Sequence, residues 1–431
     1  MAIIYTMKKK VLASALLLLL PFVLTACTLQ DLPVIGKFFA PKTPPKVQGP
    51  VTLNVWGMFE NPEVMSALIK KYQAGHPTVT INYDDRSILK PKDYRDRVFS
   101  RIGQENTADI ILVHASWVSA LKGNLAPASD KLLNAQTFSN SFYPAAVQTS
   151  VFDGKVYAMP LYYDGLALVY NKAHFAEVGQ QDPPTAWEEF RRLALKLKKE
   201  GVLVRGGAAI GTASNIDFSS DILGMLFAQA KINIPADMDS KAAQDALSFY
   251  ANFVKEDRVW NESFPEASAA FAQEKVSMIF EPSWSLLDII KSRPDLDIGV
   301  AAVPQAIPEE PASWATFWTE VVPSSSPNKD AAWDFLNFLG QKDQEMTMFS
   351  EASKYRQYGA PYSLKALAPE LASNKYLKSY LDIALYSKTG IVAARAGNDT
   401  VVDAVKEAVN AVLSGGDPAA ALQAAKAKAS Q

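Results

Sequence analysis

Apolar positions recur along most of the chain with a period of two, then of nearly four. In VTLNVWG, residues 51–57, Val51, Leu53 and Val55 alternate with other residues, as in a strand with one buried face. Asn61 and Pro62 then supply an N-cap and a first helical residue. Met65, Leu68, Ile69 and Tyr72 follow at helical spacing until Gly75 and Pro77 stop the pattern. TVTINY, residues 78–83, alternates again through Val79, Ile81 and Tyr83, and DIILVHA, residues 109–115, is a continuous apolar run of strand length. Strands alternating with helices predict a mostly parallel α/β sheet. Thr185-Ala186-Trp187-Glu188 reads as a capping box ahead of a helix with Phe190, Leu193, Ala194 and Leu197 on one face. Three more helical stripes run through Ala246, Leu247, Tyr250, Phe253 and Val254, through Ala332, Phe335, Leu336 and Leu339, and through Val401, Val405, Val409 and Val412. Asp417-Pro418 opens a last, Ala-rich helix, and no internal repeat interrupts Val51 to Gly415.

One stretch breaks the pattern. PLYYDGLALVYN, residues 160–171, reads as a buried strand, yet Asp164 and Gly165 sit inside it. A buried carboxylate needs a partner or water, and glycine weakens a strand interior.

Composition sets broad limits. The 431 residues are 48% hydrophobic and 20% charged, with core enough for two or more domains. A net charge of −2 points away from a nucleic-acid partner. The 8 Trp and 16 Tyr suit a core and also a stacking surface. The single cysteine, Cys27, excludes a disulfide framework and a cysteine-based metal site. It follows Lys8, Lys9 and Lys10, an apolar run from Val11 to Leu24 and the tetrad Leu24-Thr25-Ala26-Cys27, the order of an export signal. LTAC resembles the bacterial lipobox, which implies cleavage before Cys27 and a lipid on its thiol. A retained transmembrane anchor is the alternative, and the run is short for a span. Residues 28–50, with Pro33, Pro41, Pro44, Pro45 and Pro50, read as a semi-extended tether.

Catalytic signatures are missing: the chain has no G-x-S-x-G, no GK[ST] loop, no G-x-G-x-x-G and no H-E-x-x-H. His76, His114 and His174 are scattered, so no histidine metal cluster and no cofactor is expected. A glycosidase with two carboxylates facing a cleft stays an open alternative at this point.

Taken in order, VTLNVWG, the stretch from Pro160 with NKAHF and PPTAWEEF, AFAQEKVSMIFEPSW and SPNKDAAWDFLNFL resemble one family. It is that of the extracellular solute-binding proteins of ABC importers, in the cluster that includes maltodextrin- and oligosaccharide-binding proteins. The resemblance runs from about Val51 to the C-terminus. It implies an α/β, two-lobed periplasmic-binding-protein-like fold of type II, with a hinge and an interlobe cleft. The expected organisation is a signal peptide at 1–26 and a lipid-anchored tether at 27–50. A first lobe takes 51–161 plus 319–364, and a second takes 162–318 plus 365–431. The chain departs from the commoner family form at Glu274-Lys275, where glycine is frequent, and at His174, where an acid is.

The resemblance also proposes a site. Asp164 would line the cleft at the first crossover and Gly165 would give it torsional freedom. Alternatively, Asp164 pairs with an arginine or caps a turn. Sugars offer C–H faces to aromatic rings and hydroxyl rims to carboxylates, amides and arginines. Trp56 and Glu60 at the end of the first strand are candidates, as are Ser116 and Trp117 after DIILVHA. For Trp56 and Trp117 the competing role is core filling, and for Ser116 a helix cap. Trp284 in EPSWS matches a family position that stacks on ligand. Of Trp314 and Trp318 in SWATFWTE one is expected to face the cleft, which of them being open, and Trp318 is carried among the candidates. Tyr163, Arg356 and Arg395 complete the set, and Trp187 and Trp333 are assigned to the core.

The expected function is capture of a solute, a sugar or oligosaccharide, and delivery to membrane permease subunits. The protein is read as an exported, lipid-anchored monomer without enzymatic activity. Two alternatives are the same fold binding a polyamine, phosphate ester or peptide, and a lipid-anchored glycoside hydrolase.

Overall fold

Strand β1 (Val51–Gly57) buries Leu53 and Val55 against helix α1 (Pro62–Gly75). That helix starts as expected: the Asn61 side chain accepts from the Glu63 N–H, and Pro62 is the first helical residue. The chain then forms β2 (Val79–Asp85), α2 (Pro91–Arg101) and β3 (Ile110–His114). A hairpin of β4 (Val151–Phe152) and β5 (Lys155–Val156) precedes β6 (Ala158–Met159). Next come β7 (Ala167–Asn171), α3 (Trp187–Leu197), α4 (Ser219–Gln229), α5 (Lys241–Lys255), β8 (Met278–Glu281), α6 (Ser283–Ser292) and β9 (Ile298–Ala301). The last third holds β10 (Ser313–Trp314), β11 (Trp318–Val321), α7 (Lys329–Leu339), α8 (Lys342–Ala352), β12 (Ser387–Lys388), α9 (Asp399–Leu413) and α10 (Pro418–Ala429). Shorter helices are left unnumbered. The computed structural model describes residues 49–201 and 204–430, so Cys27, the export signal and most of the tether lie outside the described residues.

The two larger sheets among the described residues lie within one compact unit, beside the two-stranded pairs β4-β5 and β10-β12. The first has the order β2-β1-β3-β11-β6, the second β8-β7-β9. β1, β2 and β3 are parallel, as the alternation of strands and helices predicts. The expectation of a mostly parallel sheet stops there. β11 enters antiparallel to β3, β6 pairs antiparallel with β11, and β8 and β9 both run antiparallel to β7. The direction of β11 is set by where its chain comes from, which no local pattern encodes.

The stretch from Pro160 is not one strand. Regular pairing begins only at Ala167, and residues 160–166 form an extended crossing. Two later segments run beside it. Leu166 N–H donates to Trp314 O (2.9 Å), Thr316 N–H to Asp164 O (2.9 Å) and Tyr163 N–H to Pro361 O (3.0 Å). Gly165 bridges Ala315 so closely that an added Cβ would lie 2.4 Å from Trp314 O. Its need is space between two backbones rather than the torsional freedom expected from sequence.

Trp187 packs among Phe190, Phe249, Phe253 and Phe280, and Trp333 is buried in the core. The capping box is displaced by one residue. α3 begins at Trp187, so Glu189 rather than Glu188 reaches back, accepting from the Thr185 N–H (3.0 Å) and hydroxyl (3.1 Å). At the departure from family habit, Glu274 has φ 60°, a left-handed conformation that glycine adopts without strain.

Candidate functional site

A cleft of about 1040 Å³ opens at the carboxyl ends of β1 and β2 and faces α6. Chain turns build its first wall: Phe59 and Glu60 follow β1, while Ser87 and Leu89 follow β2. The opposite wall is one face of α6, where Trp284, Leu287, Asp288 and Lys291 recur at helical spacing. Tyr162, Asp164 and Trp318 lie along the crossing segments, and Tyr355, Arg356 and Arg395 close the remaining side.

Aromatic rings face this space from several elements. Phe59 is 51% exposed, Trp284 37% and Tyr355 56%. Phe59 has φ 68°, a left-handed conformation that is an outlier for a bulky residue. Its N–H donates to the Ser87 hydroxyl (2.7 Å), and its ring meets Trp318 edge-on at 5.2 Å between centroids. The turn is therefore held from the β2 side while the ring stays in the cleft. Trp284 meets Phe218 edge-on, and the Arg395 guanidinium lies 4.9 Å from its ring centroid. Arg395 is itself paired with Asp217.

Asp164 answers the question its position raises. It is buried at the crossing, and both carboxylate oxygens are occupied. Oδ1 accepts from the backbone N–H of Gly165 (2.7 Å) and Ser283 (2.9 Å). Oδ2 accepts from the Ser283 hydroxyl (2.7 Å) and the Trp284 N–H (3.2 Å). α6 has Pro282 at its N-cap, which offers no capping side chain. Asp164 supplies the cap from across the fold, beside the positive end of the helix dipole. Burial pushes its pKa up to about 6, against the pull of those hydrogen bonds. The expected ligand contact is thus replaced by the capping alternative, and Asp164 positions Trp284.

The other sequence candidates divide. Glu60 lines the cleft, but its Oε1 accepts from Asn61 N–H (2.9 Å). Its Oε2 accepts from the Tyr162 hydroxyl (3.3 Å) and Arg356 (3.2 Å). Arg356, Arg395 and Trp318 line the cleft as expected. Trp314 does not compete with Trp318, since it is buried with its indole N–H on Asp221 (2.8 Å). Tyr163 borders the cleft but is fully buried, with its hydroxyl on Ser387 (2.7 Å). Tyr162, missed in the sequence, is the partly exposed tyrosine of that pair.

Three further candidates fall outside the cleft. Trp56 is outside the cleft, because the strand alternation turns it toward α2, where Arg86 covers it at 3.8 Å. Trp117 is buried and donates to Ala396 O (2.8 Å), filling core beside Tyr94 and Phe99. Ser116 bonds His114 Nδ1 (2.8 Å) and Asn398 (3.0 Å) instead of a ligand. Burial lowers His114 to about 3 and His174 to about 4, so both are neutral. Among the described residues no group of three or more His, Cys, Asp or Glu side chains is arranged to hold a metal ion. Phe59 and Tyr355 were missed as well. Each stands next to a residue that was named, Glu60 and Arg356, as an apolar ring in a polar turn.

Comparisons with known proteins bear on the family and the fold. The model of the bacterial extracellular solute-binding protein family matches residues 59–346. A Brucella abortus (strain 2308) binding protein is 24% identical over 282 residues, 64% of this chain and 67% of that relative. The mannitol-binding protein of Pseudomonas aeruginosa is 24% identical over 309 residues, covering 68% of this chain and 69% of its own length. In fold, the chain is similar to the cyclic alpha-maltosyl-1,6-maltose binding protein of Arthrobacter globiformis, with a TM-score of 0.72 and 21% identity over 88% of this chain and 98% of that one. The two-lobed α/β fold with its hinge and cleft is borne out. With well over half of its length matched by the family model, the chain belongs to the bacterial extracellular solute-binding proteins.

Proposed function

We propose that this protein captures a carbohydrate in the cleft facing α6 and delivers it to the permease subunits of an ABC importer. The observation that carries the reading is the set of exposed rings, Phe59, Trp284 and Tyr355, around a space of about 1040 Å³. Aromatic faces stack on the C–H faces of sugar rings, and the polar groups between them suit hydroxyls. Several rings around one space suit an oligosaccharide better than a single small sugar. The ligands named for the mannitol- and maltosyl-maltose-binding proteins, a sugar alcohol and a cyclic oligosaccharide, support the class.

The proposal includes no chemistry on the solute. Of the three carboxylates that line the cleft, Asp164 and Glu60 already accept hydrogen bonds from the protein on both oxygens, which leaves Asp288 alone where a glycosidase needs a pair. A general acid or base needs an oxygen that can reach substrate. A glycan hydrolase is tested by incubation with glycans and a search for product. We place the lobes at 51–161 plus 319–364 and 162–318 plus 365–431. We take the mature protein to be a monomer anchored by lipid on Cys27, after removal of 1–26. Cys27→Ser is expected to release it from membranes or leave it unprocessed.

A thermal-shift screen of the full chain against mono- and oligosaccharides tests the ligand class. A true ligand at 100 times its Kd adds about 2.7 kcal/mol of stability. Trp284→Ala is then expected to weaken its binding by about tenfold or more in calorimetry, from lost stacking and lost apolar burial. Unchanged affinity at full folded stability would overturn the site.

A further inference from the structure

We propose that the first lobe carries a second binding site, for a phosphate-type oxyanion, formed by Arg86, Arg97 and Arg101 beside Trp56. A pocket of about 430 Å³ is lined by Trp56, Arg86, Arg97, Arg101, Asn106 and Thr107. It shares no residue with the cleft facing α6.

The arginines are held in two ways. Arg97 and Arg101 are four residues apart on α2 and present the same face. Like charges at that spacing repel. Among the described residues no carboxylate approaches either guanidinium within 4.0 Å. Arg86 is fixed more firmly: its guanidinium lies 3.8 Å over the Trp56 ring and one terminal nitrogen bonds Asp84 at 2.6 Å. Asp84 neutralises that one charge and leaves two uncompensated. The Nε of Arg86 is buried and has no hydrogen-bond partner. A buried donor without an acceptor is costly, and most such donors in folded proteins are satisfied. Three guanidinium groups around one space suit a compact, multiply charged acceptor with several oxygens. Guanidinium forks match phosphate oxygens in pairs, and a phosphate offers more of them than a carboxylate does. The volume accommodates a phosphate with a small organic substituent.

Two sources share this chemistry, a soluble phosphate and the phosphate of an anionic lipid headgroup. Calorimetry on the full-length protein separates them, with inorganic phosphate in one arm and short-chain phosphatidylglycerol below its micellar concentration in the other, each in chloride buffer of equal ionic strength. At least one titration is expected to saturate at a single site in the parent. Arg97→Gln with Arg101→Gln is expected to weaken it by about tenfold or more, as loss of charged hydrogen bonds implies. Arg86→Lys keeps the charge but removes the Nε donor, and is expected to weaken it too. The thermal midpoint and sugar binding of the Arg97/Arg101 variant should match the parent, since neither residue lines the cleft. Saturation with phosphate alone or with the lipid alone identifies the source and supports the site. Binding in neither arm, or binding that the double variant keeps, overturns it. A loss of sugar affinity in the parent screen would strike the function proposed above and leave this site standing.

Discussion

Phe59 shows what a single residue can be made to do at the surface of the cleft. Its left-handed backbone costs roughly 1–3 kcal/mol in a residue of this shape. Glycine would take the same φ without that cost. The ring is 51% exposed and repays little of the strain by burial. Its contribution lies in the cleft, beside Trp318. Phe59→Gly is therefore expected to leave the thermal midpoint equal or higher, while sugar affinity falls by about tenfold as a stacking face is lost. A variant that loses stability and keeps affinity would place Phe59 among the structural residues. Trp187→Ala should behave oppositely. Loss of that packed ring costs about 3–5 kcal/mol, with affinity per folded molecule unchanged.

At the scale of elements, α6 depends on a cap it does not contain. Asp164→Ala removes the acceptor of the Ser283 and Trp284 N–H groups. A cost of about 1.5–3 kcal/mol in denaturant unfolding is expected for charged hydrogen bonds of this kind. Affinity should fall as well, through displacement of Trp284, and Asp164→Asn should recover part of both losses because its amide oxygen still accepts. Direct ligand contact by Asp164 would instead lower affinity at unchanged stability. The crossings make a second prediction. Gly165→Ala puts a Cβ 2.4 Å from Trp314 O, so two backbone segments must separate. Overpacking of this sort costs about 1–3 kcal/mol, readable as a shift in the unfolding midpoint.

The whole molecule carries several carboxylates out of water. Burial pushes Asp164 up to about 6, Asp221 to about 7, and Glu281 and Glu320 to about 8. One oxygen of Glu281 and one of Glu320 lack any hydrogen-bond partner among the described residues, as suits acids that keep their proton. The native state therefore binds these protons more tightly than the unfolded chain does. Their stabilising effect is complete below the ordinary carboxylate range and is lost as pH rises through about 6 to 8. Glu177 opposes them at the acid end. Arg205 and Lys199 hold it down at about 2, so its contribution exists above the ordinary range and disappears as pH falls toward 2. The thermal midpoint is expected to be higher near pH 5 than near pH 8.5, a window set by these two opposed shifts. Glu320→Gln should raise it at the alkaline end and change it little at the acid end. A midpoint that climbs steadily from pH 5 to about pH 8.5 would contradict this account of the buried acids.

Much was legible before any coordinates. Period-two alternation marked β1 and β2, because one face of each strand is buried whatever lies beyond it. Asn61-Pro62 fixed the start of α1, and helical spacing marked α9 and the core face of α3. Trp284, which the family resemblance singled out, lines the cleft, as do Trp318, Arg356 and Arg395, which were named beside it. These are local or inherited regularities. The rest depended on distance in space. Trp56 and Phe59 are three residues apart at one strand end, yet one meets Arg86 and the other the cleft, because Phe59 lies beyond the strand in a left-handed turn held by Ser87 of the next strand end. Asp164 looked like a ligand residue because its partners, Ser283 and Trp284, are more than a hundred residues away. Gly165 looked flexible because Trp314 O, which forbids a side chain there, arrives from another segment. Sequence by itself determined the elements, since each needs only its own pattern of burial. Tertiary structure decided the roles of polar and aromatic residues where segments meet, since a hydrogen-bond partner or a close contact has no fixed distance along the chain.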